Sequence, residues 1–145
     1  MTETALSTRQ TAAEIRALAG RLRRRLREQA DAGEFTTAQA SVVIRIERGG
    51  PATCTELARA EGMKPQSMGP ILTSLEEREV LVAQRDPGDG RKTIWSITPE
   101  ARRSIDRARA TKEDWLLRTI ESRLTPTEQQ QLSAGVQLLT RLLEP

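Results

Sequence analysis

The stretch that most restricts the fold of this chain is residues 80–98, where the spacing of apolar residues changes from helical to alternating. Val80-Leu-Val-Ala-Gln-Arg85 is β-compatible, and in Arg91–Ile97 the residues Thr93, Trp95 and Ile97 alternate onto one face. Between them stands Asp86-Pro87-Gly88-Asp89-Gly90, a dense turn signal. A β-hairpin is expected here. The rest of the chain reads as helix.

Upstream, Ile15, Leu18, Leu22 and Leu26 form one stripe of a helix between Thr11 and Ala30. Arg21, Arg23, Arg24, Arg25 and Arg27 cover its other faces, with Arg24 and Glu28 spaced as an i,i+4 pair. After a polar break at Asp31–Thr36, a second helix is expected from Thr37, its N-cap candidate, to Arg48, ended by Gly49-Gly50-Pro51. Thr53-Cys54-Thr55-Glu56 reads as a capping box opening a short helix that ends near Ala60 or Glu61. Glu61-Gly62-Met63 is a tight turn, and Pro65 opens the next helix, where a missing N–H costs nothing. Met68, Ile71, Leu72 and Leu75 are its apolar face, and Gln66, Ser67, Thr73 and Ser74 are left toward solvent. Beyond the hairpin, Thr98-Pro99-Glu100 starts a helix running to about Arg123. Thr125-Pro126-Thr127-Glu128 then caps a last helix, in which Leu132, Val136, Leu139 and Leu143 repeat at four, three and four.

Composition narrows the function. The chain has no His, which removes imidazole general bases, His-paired nucleophiles and His-ligated zinc. No catalytic constellation, phosphate-cradling glycine loop or metal-ligand cluster is present, so the chain is not expected to be an enzyme and no cofactor or metal is expected. A single Cys suits a reducing compartment. No apolar run approaches the roughly 20 residues of a membrane span. The first ten residues show no basic region leading into an apolar one, so a cytoplasmic protein without membrane association is expected. Phe35, Trp95 and Trp115 are the only aromatics, a thin supply for one compact core; helices sharing apolar faces with a second chain would remedy it. Net charge is +3, with a basic excess in residues 1–31 and an acidic balance of −1 in residues 52–98. The excess hints at a polyanionic partner.

A short helix, a tight turn, a second helix and a hairpin make a winged helix-turn-helix. The hairpin Arg85-Asp-Pro-Gly-Asp-Gly-Arg-Lys92 is similar to the wing of the MarR family (multiple antibiotic resistance regulators), where an Asp two residues before an Arg leads through a strand into a Leu-Thr-x-x-Gly end. Here that end reads Ile97-Thr98-Pro99-Glu100-Ala101, with Ala in place of Gly. Lys64-Pro-Gln-Ser-Met68 and Leu75-Glu-Glu-Arg78 also resemble the family, and the likeness covers nearly the whole chain. The expected fold is mainly α with a small β-hairpin wing. It divides into an N-terminal dimerisation helix at 1–36, the winged helix-turn-helix at 37–98, and C-terminal dimerisation helices at 99–145.

The resemblance implies a ligand-responsive repressor that binds double-stranded DNA as a homodimer on a palindromic operator and is released by a small anionic or aromatic effector. In the major groove the candidate contacts are Lys64, Gln66, Ser67 and Thr73; Gln can address adenine in bidentate fashion. Arg91, with Lys92 beside it, is placed for the adjacent minor groove, whose narrow A·T-rich segments attract guanidinium groups. The resemblance implies that Asp89 holds Arg91 by a charge-assisted hydrogen bond. Ile15, Leu18, Leu22, Leu132, Val136, Leu139 and Leu143 are the candidate dimerisation residues. Trp95 is expected in the hairpin core and Trp115 at the dimer or a cleft.

Further features depart from the family pattern. Gly69-Pro70 lies inside the recognition helix, where Pro70 removes one backbone bond and should bend it. The groove-reading surface has no Arg. Glu79 stands where a helix-ending Gly would be usual. The Arg-free helix and the negative balance also fit an alternative, a winged helix turned protein-interaction module. Cys54, at a helix start, could favour thiolate. Peroxide sensors of the family, however, carry their Cys in the N-terminal helix beside Tyr partners, and this chain has neither, so Cys54 is expected to be a small core residue.

Overall fold

A computed structural model of the protein describes residues 7–30 and 35–145. Most of the polar break expected at Asp31–Thr36 lies outside the described residues, as does the stretch before Ser7. The described elements are α1 (Thr8–Gln29), α2 (Thr37–Gly49), β1 (Ala52–Thr53), α3 (Cys54–Ala60), α4 (Pro65–Glu77), β2 (Leu81–Arg85), β3 (Thr93–Ile97), α5 (Pro99–Arg123) and α6 (Pro126–Leu143). They fall into two compact units: Ala32–Arg107, and Met1–Asp31 together with Ala108–Pro145.

The unit Ala32–Arg107 holds the core. Val42, Val43 and Ile46 of α2, Leu57 and Ala58 of α3, and Met68, Leu72 and Leu75 of α4 are buried with Val80, Leu81 and Ile97. Removing a side chain such as Leu75 from water contributes roughly 1.5–3 kcal/mol. Trp95, Phe35, Cys54 and Ile105 pack against this cluster from its edge. The expected hairpin is the antiparallel pair β2–β3, in register from Leu81↔Ile97 to Arg85↔Thr93. A third strand joins it: β1 pairs with the other edge of β3 through Ala52↔Trp95 and Thr53↔Ile94. Two residues are too few to show alternation, so nothing in the sequence announced β1.

Helix starts follow local hydrogen bonding. The N-cap of α2 is Thr36 rather than Thr37, because the residue three positions on must return the bond: Thr36 Oγ1 accepts from the Gln39 N–H (3.1 Å) and Gln39 Oε1 accepts from the Thr36 N–H (3.0 Å). The same device starts α1 earlier than the apolar stripe suggested, through Ser7 and Gln10. At α3 only half of the expected box forms: Thr53 Oγ1 accepts from the Glu56 N–H (3.2 Å). Thr125 and Glu128 make the full box of α6.

The end of α4 stores backbone strain. The N–H of Val80 donates to the carbonyl of Leu75 and that of Glu79 to Glu76, both at 2.9 Å. This is a Schellman ending, which requires a left-handed residue between them. Glu79 occupies it at φ 57°, a conformation that crowds any Cβ. Glu79→Gly should therefore raise the stability of this unit by about 0.5–1 kcal/mol, the relief of strain exceeding the extra chain entropy of Gly. Urea denaturation of the two proteins checks it.

A second local device ties α2 to the end of α3. The carboxylate of Glu61 accepts from Arg45 Nε (2.7 Å) and from Ser41 Oγ (2.9 Å). The Arg45 guanidinium foremost, and then Ser41, hold Glu61 below its ordinary value of 4.5. A lowered carboxylate stabilises the fold above that ordinary value and loses its contribution as the pH falls through the lower, folded one. Because Arg45 is nearly half exposed, Glu61→Gln should cost only about 1 kcal/mol at neutral pH. Its deficit relative to the native chain should shrink in thermal melts taken progressively below pH 4.5.

The other unit is built differently. Among its described residues no side chain of α1, α6 or the Ala108–Arg123 part of α5 is buried. Leu18, Leu22, Leu132, Val136, Leu138 and Leu139 are exposed, and Leu142 and Leu143 are 71 % and 86 % exposed. Arg25, rather than Arg24, pairs with Glu28, at 3.2 Å across three residues. Its guanidinium also stands 5.9 Å from the centre of the Trp115 ring, an attraction that selects Arg25 over its neighbour. An open cavity of about 590 Å³ within this unit is lined by Ile15, Leu18, Leu22, Trp115 and Leu139, with Arg21, Arg24 and Arg25. Trp115 is thus a cleft-lining residue.

Candidate nucleic-acid interface

The turn between α3 and α4 is fixed by the backbone. Met63 donates to the Ala58 carbonyl (2.9 Å) and Gly62 to that of Arg59 (3.2 Å). This second Schellman ending has Gly62 at φ 66°, where an absent Cβ is required. Cys54 adds a side-chain link, its thiol donating to the Pro65 carbonyl at 3.6 Å. Half-buried against the core, Cys54 is a packing residue at the α3–α4 junction.

With Met68, Leu72 and Leu75 anchored inward, α4 turns its other side out. Lys64 at the N-cap, Gln66, Ser67 and Thr73 are all exposed. These four candidate contacts lie on one short helix whose inward face is locked by packing. Pro65 is the first residue of α4, and the helix runs unbroken through Pro70.

The wing is a turn held by two aspartates. Asp86 Oδ1 accepts from the Gly88 N–H (2.9 Å), and Asp89 Oδ1 accepts from the Arg91 N–H (3.1 Å). The Asp86 N–H also donates to the Lys92 carbonyl at 2.9 Å. Asp89 therefore supports Arg91 through the backbone, not through the expected bond to the guanidinium. At a spacing of two residues the Asx-turn geometry claims the carboxylate first. The Arg91 side chain stays exposed, as does that of Lys92. Arg85, exposed opposite Thr93 at the end of β2, is a third wing cation. It escaped notice in the sequence because it reads simply as the last strand residue. Trp95 packs at the base of this hairpin against the core, as expected.

Electrostatically the unit Ala32–Arg107 is balanced, with eleven basic and eleven acidic residues. Within that balance Lys64, at the start of α4, and Arg85, Arg91 and Lys92 of the wing are exposed cations. Among the described residues no cluster of His, Cys, Asp or Glu could hold a metal ion. No helix there is long and apolar enough to cross a membrane.

Helix, tight turn, outward-facing helix and a three-stranded wing define a winged helix-turn-helix protein. The model of the MarR family matches residues 35–93. Over 97 % of this chain and 99 % of the other, the protein is 34 % identical to a candidate transcriptional regulator of Pseudomonas aeruginosa PA01 with a solved crystal structure, at a TM-score of 0.82. It is 25 % identical, over 86 % of each chain, to an HTH-type transcriptional regulator of Mycobacterium tuberculosis. It also shares its fold with BpsR of Bordetella bronchiseptica, whose DNA binding is regulated by 6-hydroxynicotinic acid; the TM-score is 0.61 at 20 % identity over 97 % and 98 % of the two chains. The chain belongs to the MarR family and is a DNA-binding transcriptional regulator, not an enzyme.

Proposed function

We propose that this regulator is a cytoplasmic homodimeric repressor that binds a palindromic operator and leaves it when a small anionic or aromatic effector binds. The observation carrying the dimer is α6: Leu132, Val136, Leu139 and Leu143 repeat at helical spacing and are all exposed in the single chain. Together with Leu18 and Leu22 of α1 they leave more apolar surface than a monomer ordinarily carries. A second copy related by a two-fold axis covers such a surface on both partners at once. The effector clause is supported by the BpsR neighbour.

In this reading α4 enters the major groove with Lys64, Gln66, Ser67 and Thr73 toward the bases and phosphates, and the wing brings Arg91 and Lys92 to the minor groove. The domain limits 1–36, 37–98 and 99–145 assign dimerisation to the two ends and DNA reading to the middle. Two tests decide it together: light scattering at micromolar concentration, and gel shifts on the intergenic DNA beside the chain's own gene. A dimer that retards this DNA, and does so less when an aromatic carboxylate such as 6-hydroxynicotinic acid is added, supports the proposal. A monomer overturns it.

A further inference from the structure

The outward face of α4 is weakened as a helix at one place. At 100° per residue, Gln66, Gly69, Pro70 and Thr73 fall within about 100° of arc, opposite Met68, Leu72 and Leu75. Gln66, Pro70 and Thr73 are exposed and Gly69 half-exposed, whereas the opposing three are buried. Midway along that face, at its two edges, one residue has no side chain and the next has a ring and no N–H.

Among the described residues nothing calls for glycine at 69. A Cβ placed there meets no atom within 4 Å, and the backbone is not left-handed. Alanine would fit and would hold a helix better. Pro70 costs the helix the bond its N–H would give to the Gln66 carbonyl. Two helix-weakening neighbours on the outward face of α4 point to something that approaches from outside.

We infer that Gly69 and Pro70 form a close-approach floor on which an A·T pair of the operator half-site rests, the thymine C5-methyl lying against the Pro70 ring and Gln66 taking the adenine beside it. This rests on the reading of α4 as the groove helix. An apolar surface recognises the thymine methyl, a carboxamide pairs with adenine, and guanine is addressed by Arg or Lys, neither of which lies within α4. The cations flanking it are Lys64 at the N-cap and Arg78 at the C-cap. Glu76 and Glu77 on the last turn repel phosphate, which confines the contact to the first turns. The absent Cβ at 69 lets the base edges come to van der Waals distance from the backbone.

The test uses the full chain and a duplex selected by it from a random pool, with uracil substituted for each half-site thymine in turn. The expected half-site carries A·T at the centre of the α4 footprint. Loss of one methyl there should weaken binding by the native chain about fourfold. Pro70→Ala should bind the thymine and uracil duplexes alike. Gly69→Ala should melt at a higher temperature than the native chain yet bind the selected duplex at least about tenfold more weakly. If Gly69→Ala binds as tightly as the native chain, or no uracil substitution distinguishes native from Pro70→Ala, the close-approach floor is wrong while the groove helix stands. If the pool yields no enriched sequence at all, the groove-helix reading fails and this inference with it.

Discussion

Leu139→Asp should convert the protein to a monomer and reduce operator affinity by about a hundredfold or more. Leu139 sits in the middle of the α6 stripe, 40 % exposed, with Leu132 and Val136 before it and Leu143 after it. Opposed across a two-fold axis, two carboxylates would be buried without partners, which costs far more than the lost apolar contact. Each monomer would then hold one half-site, forfeiting the effective concentration that links the second binding event to the first. Leu139 does not belong to the buried cluster of Ala32–Arg107. Melting of that unit should therefore be unchanged, which separates lost assembly from lost folding. Light scattering together with a titration of fluorescent operator gives both quantities. A native chain that is already monomeric at micromolar concentration would sink the dimer.

The second large effect concerns the wing. Arg91→Ala should weaken binding to every duplex and flatten the salt dependence by about one unit of log–log slope per copy, roughly two for a dimer. Gln66→Ala should instead cost about 1–3 kcal/mol on the operator alone and leave the slope in place. Asp89→Ala is expected between them. It removes the acceptor that holds the Arg91 backbone N–H at 3.1 Å but leaves the guanidinium charge. Affinities for operator and scrambled duplexes across a salt series distinguish the three. An unchanged slope for Arg91→Ala would take the wing off the DNA and favour a protein partner for this unit.

Periodicity carried most of the architecture. The inward residues of α4 and the hairpin around Asp86–Gly90 could be read from spacing, because burial on one face imposes a period. What escaped was decided by single hydrogen bonds or by distant partners. Thr36 and Thr37 are equivalent to a pattern search, and only the reach of Gln39 chooses between them. β1 exists because β3 has a free edge that Ala52 and Thr53 can pair with. Arg25 was preferred to Arg24 by Trp115, ninety residues further along the chain. In the candidate interface the proposed contacts stand exposed on α4 and the wing, but the Asp89 carboxylate went to a backbone N–H rather than to a guanidinium. Local turn geometry outweighs charge in an exposed loop, where an ion pair is worth little.

Every buried apolar side chain among the described residues belongs to Ala32–Arg107, and none to the helical ends. The two parts of the molecule therefore answer to different variables. The unit Ala32–Arg107 carries its own core, so its folding is expected not to depend on how many copies of the chain surround it. In the proposed dimer a second copy covers the ends, and mass action would then raise their order with protein concentration. Heating should accordingly show one transition that ignores dilution and another that moves with it. Under that proposal abundance becomes a structural variable, since making more of the chain would both fill the operator and complete the dimer proposed to recognise it.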